Sequence, residues 1–262
     1  QRLRPAIWCR AAGVCTGTAR CELSCICGAR CIDDAETRPY AVRMSTPRFI
    51  HLRTHSEYSL LEGAMRLKSL PKLCAEAQMP ALALTDTNNM FAALEFSVGM
   101  ADAGVQPIVG CQVDLAYLEA RPGERAKAPA PLVLLAQTES GYAHLMALNS
   151  CLYLRGDGTL PHVTLAELAA HAEDVICLTG GPDGPVGRLL QNGQQPAAEA
   201  LMDQLSGIFG DRLYVELQRH PGETGQPEAE RLTERGLVEM AYAEGIPLVA
   251  ASEVYFHKGD MS

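Results

Sequence analysis

From Phe49 onward, short apolar runs alternate with amphipathic stretches of helical length, and this alternation constrains the fold more than any other feature of the chain. The runs at 49–52, 81–85, 107–113, 132–136, 174–179, 212–217 and 247–251 are short and dense in Val, Ile and Leu, as strands covered on both faces are. Between them, residues 66–78, 89–103, 139–151, 164–171, 186–191, 195–208 and 226–243 read as helices, with Pro71 placed in a first turn. Residues 119–131 and 155–158 read as loops. About seven strands with helices between most of them is the pattern of a parallel α/β sheet or barrel.

In barrels of this kind, chemistry gathers where the strands end. Here those ends carry polar groups at 53–55, 85–87, 112–114, 179–181, 218–220 and 252–255. A site assembled from distant segments is therefore expected.

Charge limits what such a site can grip. Residues 1–43 hold seven Arg against four acidic residues, +3, whereas residues 44–262 hold 15 Lys and Arg against 27 Asp and Glu, −12. An acidic body is a poor match for a phosphate backbone, because affinity for nucleic acid comes from cationic side chains and released counterions. Broad DNA contact is not expected of this segment, and no apolar run reaches membrane-spanning length.

The first 43 residues differ from the rest. They hold six of the ten cysteines and show no sustained periodicity. Arg2, Arg4 and Arg10 interrupt any secretory signal, and Met44 opens a segment that reads like a true start. Residues 1–43 are read as a non-native or disordered Cys-rich leader, and residues 44–262 as the folded domain. A zinc module on Cys21, Cys25, Cys27 and Cys31 is disfavoured, since their spacing lacks the longer loop between ligand pairs that such modules use. Cys74, Cys111, Cys151 and Cys177 sit in apolar contexts and read as core residues in a reducing cytoplasm.

The first motif with chemical content runs from His51 through Arg53, His55 and Glu62 to Gly63. Strand alternation puts 51, 53 and 55 on one face, and imidazole with carboxylate suits divalent metals. Asp86 is read as a strand-end cap for the helix beginning near Asn89 rather than as a catalytic acid. His220, followed by Pro221-Gly222, reads as a surface residue at a turn. The Gly-rich stretch 179–187 reads as a tight loop into a helix, because Pro182 and Pro185 each lack the N–H a phosphate cradle needs.

Taken in order, these segments resemble the PHP (polymerase and histidinol phosphatase) domain family. The resemblance rests on 51–63, on Ala81 to Phe91 with Thr85-Asp86-Thr87, on Gly104 to Val113, and on Leu132 to Gln137 with Gly141-Tyr142. The stretches Phe209 to His220 and Pro247 to Phe256 are similar to the subclass that opens bacterial replicative polymerases, the DNA polymerase III alpha subunits.

The resemblance implies an α/β fold, a distorted seven-stranded (β/α)7 TIM-like barrel. It implies that this is a fragment lacking palm, thumb and fingers. It also implies DNA-directed DNA synthesis with magnesium by the full-length protein, and no cofactor for this domain itself. The implied partners are the proofreading exonuclease subunit, other polymerase III holoenzyme subunits, and DNA through the missing domains, with no membrane.

Family members place His, Asp, Glu or Cys at nine ligand positions. Here these are matched by Arg53, His55, Glu62, Thr87, Gln112, Pro131, Gly181, Glu253 and Tyr255. Only His55, Glu62 and Glu253 keep ligating side chains. Arg53, a fixed cation without a lone pair, is expected to pair with Glu62 and Glu253, leaving the metal site vestigial. The alternatives are an active metal-dependent phosphoesterase or 3′–5′ exonuclease, or a free-standing binding module.

Overall fold

The computed structural model describes residues 49–118, 128–155, 160–220 and 226–256. The expectations for the Cys-rich leader and for a zinc module fall outside these residues.

The strands are β1 (Arg53–Thr54), β2 (Ala81–Leu84), β3 (Gln106–Ala116), β4 (Ala130–Ala136), β5 (Val163–Thr164), β6 (Val175–Leu178), β7 (Leu213–Leu217), β8 (Leu248–Ala250) and β9 (Glu253–Val254). The helices are α1 (Leu70–Glu76), α2 (Ala93–Asp102), α3 (Glu139–Leu154), α4 (Leu165–Ala170), α5 (Pro185–Gln191), α6 (Gln195–Phe209) and α7 (Glu228–Glu244). Seven strands form one sheet in the order β2-β3-β4-β6-β7-β8, with β5 added to β3.

β1 and β9 pair separately and in parallel, Arg53 opposite Glu253. The backbone then brings the sheet round on itself. Ala83 N–H donates to His51 O and Thr85 N–H to Thr54 O, so β1 lies against β2. At the other end, β8 runs within three residues into β9. The expected distorted barrel is the observed fold, with these departures. The apolar run 49–52, read as the first strand, lies outside any strand, and β1 is instead Arg53–Thr54 just after it. β4 is antiparallel to both β3 and β6, so the sheet is mixed rather than parallel. And residues 130–131, assigned above to a loop, open β4, Pro131 pairing with Asp114.

Local signals account for most helix ends. Thr138 accepts the Gly141 N–H at the start of α3, and Thr164 with Glu167 forms a reciprocal capping box on α4. α7 stops at Gly245, which takes the left-handed conformation that glycine adopts without steric cost.

Side-chain alternation sorts the strands into two faces. Leu132, Leu134, Val175, Cys177, Leu213 and Val215 belong to the main core, together with apolar residues of helices α3 to α7. Leu82 and Leu84 pack with α1 and α2 in a second cluster. The intervening residues Ala83, Ile108, Val133, Leu135, Ile176, Leu178 and Tyr214 form a third cluster on the opposite face, the inside of the curl. Continuing that inner face toward the strand ends brings up Gln112, Glu216 and Gln218, polar and buried.

Candidate functional site

β1 is two residues long, yet it is fixed on both sides. His55 N–H donates to Val254 O at 2.9 Å, and Thr54 N–H donates to Thr85 Oγ1 at 3.1 Å. This holds Arg53 and His55 at the inner end of the curl.

Arg53 is 1% exposed, and every arm of its guanidinium is engaged. Nε donates to Gln112 Oε1 at 2.9 Å. Nη1 lies 3.4 Å from Gly180 O and 3.4 Å from Glu216 Oε1. Nη2 meets Glu253 Oε1 at 2.8 Å. Burial works against the charged guanidinium, but Glu216, Glu253 and Tyr255 outweigh it and push the Arg53 pKa above its ordinary value.

Glu216 is itself wholly buried. Its Oε1 also accepts from Gln218 Nε2 at 2.7 Å, and its backbone N–H donates to Thr179 Oγ1. Its other oxygen, Oε2, has no hydrogen-bond donor among the described residues. A lone buried carboxylate would be costly, so the guanidinium is the group that makes Glu216 tolerable there.

His55 stacks on the ring of Tyr255, centroids 4.5 Å apart. Its Nε2 is 3.2 Å from Glu253 Oε1, and its Nδ1 faces Ser59 Oγ at 3.3 Å and Thr87 Oγ1 at 3.4 Å. Glu253 Oε1 is thus shared by Arg53, His55 and the Tyr255 hydroxyl. Burial alone would raise the Glu253 pKa; His55, Arg53 and Tyr255 overcome it and hold the carboxyl below its usual range. Burial, then the neighbouring carboxylate, drives the Tyr255 phenol upward.

Thr87 completes the connection, donating to Glu62 Oε2 at 2.6 Å while Gln112 Nε2 approaches its Oγ1 at 3.5 Å. Arg53, His55, Glu62, Thr87, Gln112, Glu253 and Tyr255 therefore belong to one polar network. Pro131 and Gly181 border it without polar side chains. The Pro131 carbonyl closes in on Gly180, and Gly181 packs against the Gln218 side chain.

The structure corrects three expectations. Arg53 does pair with Glu253, but its second carboxylate is Glu216 and not Glu62, which is bound to Thr87. Asp86 does not cap a helix: α2 begins at Ala93 and has no side-chain cap. Asp86 instead accepts three hydrogen bonds, from Ser56 N–H at 2.7 Å, Ser56 Oγ at 2.8 Å and Ser59 Oγ at 2.7 Å. It thereby fixes the turn that carries Glu62. Cys151 is only half-buried, whereas Cys74, Cys111 and Cys177 are core residues as expected.

Other expectations hold. Residues 180–184 form a tight turn, Gly184 N–H donating to Gly180 O, that leads into α5. His220 is partly exposed, and its ring meets the buried Glu230 of α7 at 2.6 Å.

Glu216 and Ser59 were not singled out in the sequence, whereas Gln218 was among the polar strand ends. A signal existed for Glu216: it is a charge inside the apolar run Leu213-Tyr214-Val215-Glu216-Leu217, on the face opposite Leu213 and Val215. Among the described residues, no group of three or more His, Cys, Asp and Glu is arranged to hold a metal ion.

The PHP domain model matches residues 51–220. The chain is 48% identical over 212 residues to DNA polymerase III subunit alpha of Caulobacter vibrioides, covering 80% of this chain and 18% of that protein. It is 38% identical over 218 residues to the same subunit of Pasteurella multocida, covering 83% and 18%. The chain thus spans less than a fifth of the length of these relatives. Among solved structures, a Bifidobacterium adolescentis protein named as a candidate metal-dependent phosphoesterase aligns with a TM-score of 0.51 at 13% identity, over 79% of this chain and 87% of that one.

Proposed function

The chain belongs to the PHP domain family, and on that premise we propose that it is the amino-terminal domain of a replicative DNA polymerase alpha subunit, serving as a scaffold and as a dock for a separate proofreading exonuclease. Template-directed nucleotidyl transfer in the cytoplasm, with magnesium, is the activity proposed for the whole protein. The acids that would hold that magnesium lie outside this chain.

One observation carries the scaffold reading: the Arg53 guanidinium sits between Glu216 and Glu253. A two-metal hydrolytic site needs converging lone pairs that hold two divalent ions about 3.5–4 Å apart. Here Glu216 and Glu253 converge on a permanent cation that has no lone pair to offer. Gln112 and Thr87 contribute only neutral oxygens, and Glu62 is held by Thr87 at the rim. The residues present do not fit a metal cluster. The guanidinium takes the ion's electrostatic place and ties β1 to β7 and β9.

The rival reading is a metal-dependent phosphoesterase or 3′–5′ exonuclease. His55, Glu62 and Glu253 favour it, since they share one network and keep ligating side chains. Incubating the chain with manganese or zinc and a 3′-mismatched primer separates the two. The scaffold reading expects no nucleotide release above a metal-free control. Metal-dependent release that is lost in His55→Ala would overturn it.

A further inference from the structure

Two histidines outside the Arg53 network face one another between α3 and α4. His144 lies within α3, and His171 is the residue that ends α4. Their Nδ1 atoms are 3.4 Å apart, and their ring centroids 5.7 Å, with the ring planes at 50°. Both residues are half-buried. Among the described residues, neither ring has another hydrogen-bond partner, so the fold does not use the pair to satisfy a buried polar group.

The backbones that carry the two rings are fixed against each other. Gly141 stands three positions before His144, on the same side of α3, and a β-carbon there would lie 2.1 Å from Asp174 O. The segment that follows α4 therefore rests directly on α3. Asp174 is tied down at that point: its backbone O accepts from Gln137 N–H at 2.9 Å, and its Oδ2 accepts from Thr138 Oγ1 at 2.7 Å. His171 N–H donates to Leu168 O at 3.2 Å, and Leu168 and Ala172 on either side of it are buried. Presenting both rings in advance lowers the ordering cost of any ligand they share.

Two nitrogens so placed can share a proton or a metal ion. A proton between them makes an N–H···N contact, but 3.4 Å is longer than well-formed hydrogen bonds of about 2.7–3.2 Å. A tetrahedral ion about 2.0–2.1 Å from each nitrogen sets the pair about 3.3–3.4 Å apart, which matches the observed separation. Imidazole suits zinc, copper and nickel, whereas calcium and magnesium take oxygen ligands. We propose that His144 and His171 form an open site for one divalent transition-metal ion of the zinc class, with water at the remaining positions. Two protein ligands make the site exchangeable, and the bound ion clasps α4 to α3. The two residues are 27 positions apart in the chain and meet only in the fold, so the ion favours the folded state. The site shares no residue with the Arg53 network and stands or falls independently of it.

The test uses the full chain, isotope-labelled at the histidine nitrogens, with zinc alone as the probe. Nuclear magnetic resonance should show the Nδ1 signals of His144 and His171 shifting together as zinc is added and unmoved by magnesium at the same concentration. Each signal is assigned by its loss in His144→Gln or His171→Gln. Either substitution should weaken zinc binding at the remaining ring at least about tenfold, because the second imidazole no longer binds intramolecularly. Zinc should also raise the thermal midpoint of the unaltered chain more than that of either variant, a difference in which zinc held by cysteines of residues 1–43 cancels. Circular dichroism confirms that each variant folds, and the titration of the unaltered chain decides the matter if one does not. No zinc-dependent shift at the two nitrogens, a shift at only one of them, or undiminished zinc affinity in both single variants would overturn the proposal. Shifts confined to His55 would overturn it too, and would assign the metal to the Arg53 network.

Discussion

Arg53 and Glu216 lie 163 positions apart in the chain and meet at 3.4 Å, their side chains 1% and 0% exposed. Charges so deeply withdrawn from water are tolerated only when paired and hydrogen-bonded. Gln218 and Gly180 supply part of the remaining bonding.

Removing the cation alone should be severe. Arg53→Met leaves Glu216 buried without its counter-charge and is expected to cost about 3–5 kcal/mol of stability in urea unfolding. Adding Glu216→Leu to that variant should recover much of the loss, because the second change removes the stranded charge. Recovery identifies charge compensation; independent, additive losses would instead assign the cost to packing.

Asp86 offers a separate test of how the rim is built. Its carboxylate accepts from Ser56 N–H, Ser56 Oγ and Ser59 Oγ. Hydrogen bonds to a charged group are worth roughly 1.5–3 kcal/mol each and are not additive. Asp86→Ala is therefore expected to lose about 3 kcal/mol or more. Limited proteolysis should show new cleavage at 57–63. Cleavage within α2 instead would restore the helix-cap role.

Gly63 should tolerate no side chain. A β-carbon there would stand 2.0 Å from the Ser56 carbonyl oxygen, a backbone atom that cannot swing aside. Gly63→Ala is expected to destabilise by about 1–3 kcal/mol, as forced overpacking does. Gly104→Ala provides the contrast, since nothing lies near its β-position and its positive φ is the only strain.

The pH profile follows from Glu253. Its folded pKa lies below the unfolded value of 4.5, held there against burial by His55, Arg53 and Tyr255. A depressed carboxyl contributes stability above its unfolded pKa, and that contribution is lost as pH falls through the folded pKa. Urea midpoints measured downward from neutral pH should drop on acidification below about 4.5, and Glu253→Gln should flatten that part of the curve. A variant whose midpoint drops as steeply as that of the unaltered chain would show that other groups govern the loss.

The strands and helices were largely legible because each apolar run is long enough to carry its own period. β1, β5 and β9 were not, being two residues long, too short for any periodic signal. The antiparallel course of β4 was hidden as well. An apolar run such as Leu132 to Ala136 reads the same whichever way its neighbours point. At the site, the family pattern located Arg53, His55 and Glu253 but misassigned one partner of Arg53. Glu62 follows β1 by eight positions and looked available, whereas the structure turns it outward onto Thr87. Glu216 was concealed by its setting in an apolar strand. Only the curl of the sheet, which brings the inner faces of β1 and β7 together, makes it a partner.

Metal stoichiometry tests the central claim most directly. The chain and its Arg53→His variant would each be equilibrated with manganese or zinc, freed of unbound ion, and measured by elemental analysis, counting only the metal whose retention depends on His55 and Glu253. With the guanidinium standing in for an ion, the unaltered chain should retain no such metal, and Arg53→His should retain more of it by supplying a lone pair beside His55, Glu216 and Glu253. Metal held by the unaltered chain at one equivalent or more, and lost in His55→Ala and Glu253→Ala, would contradict the account.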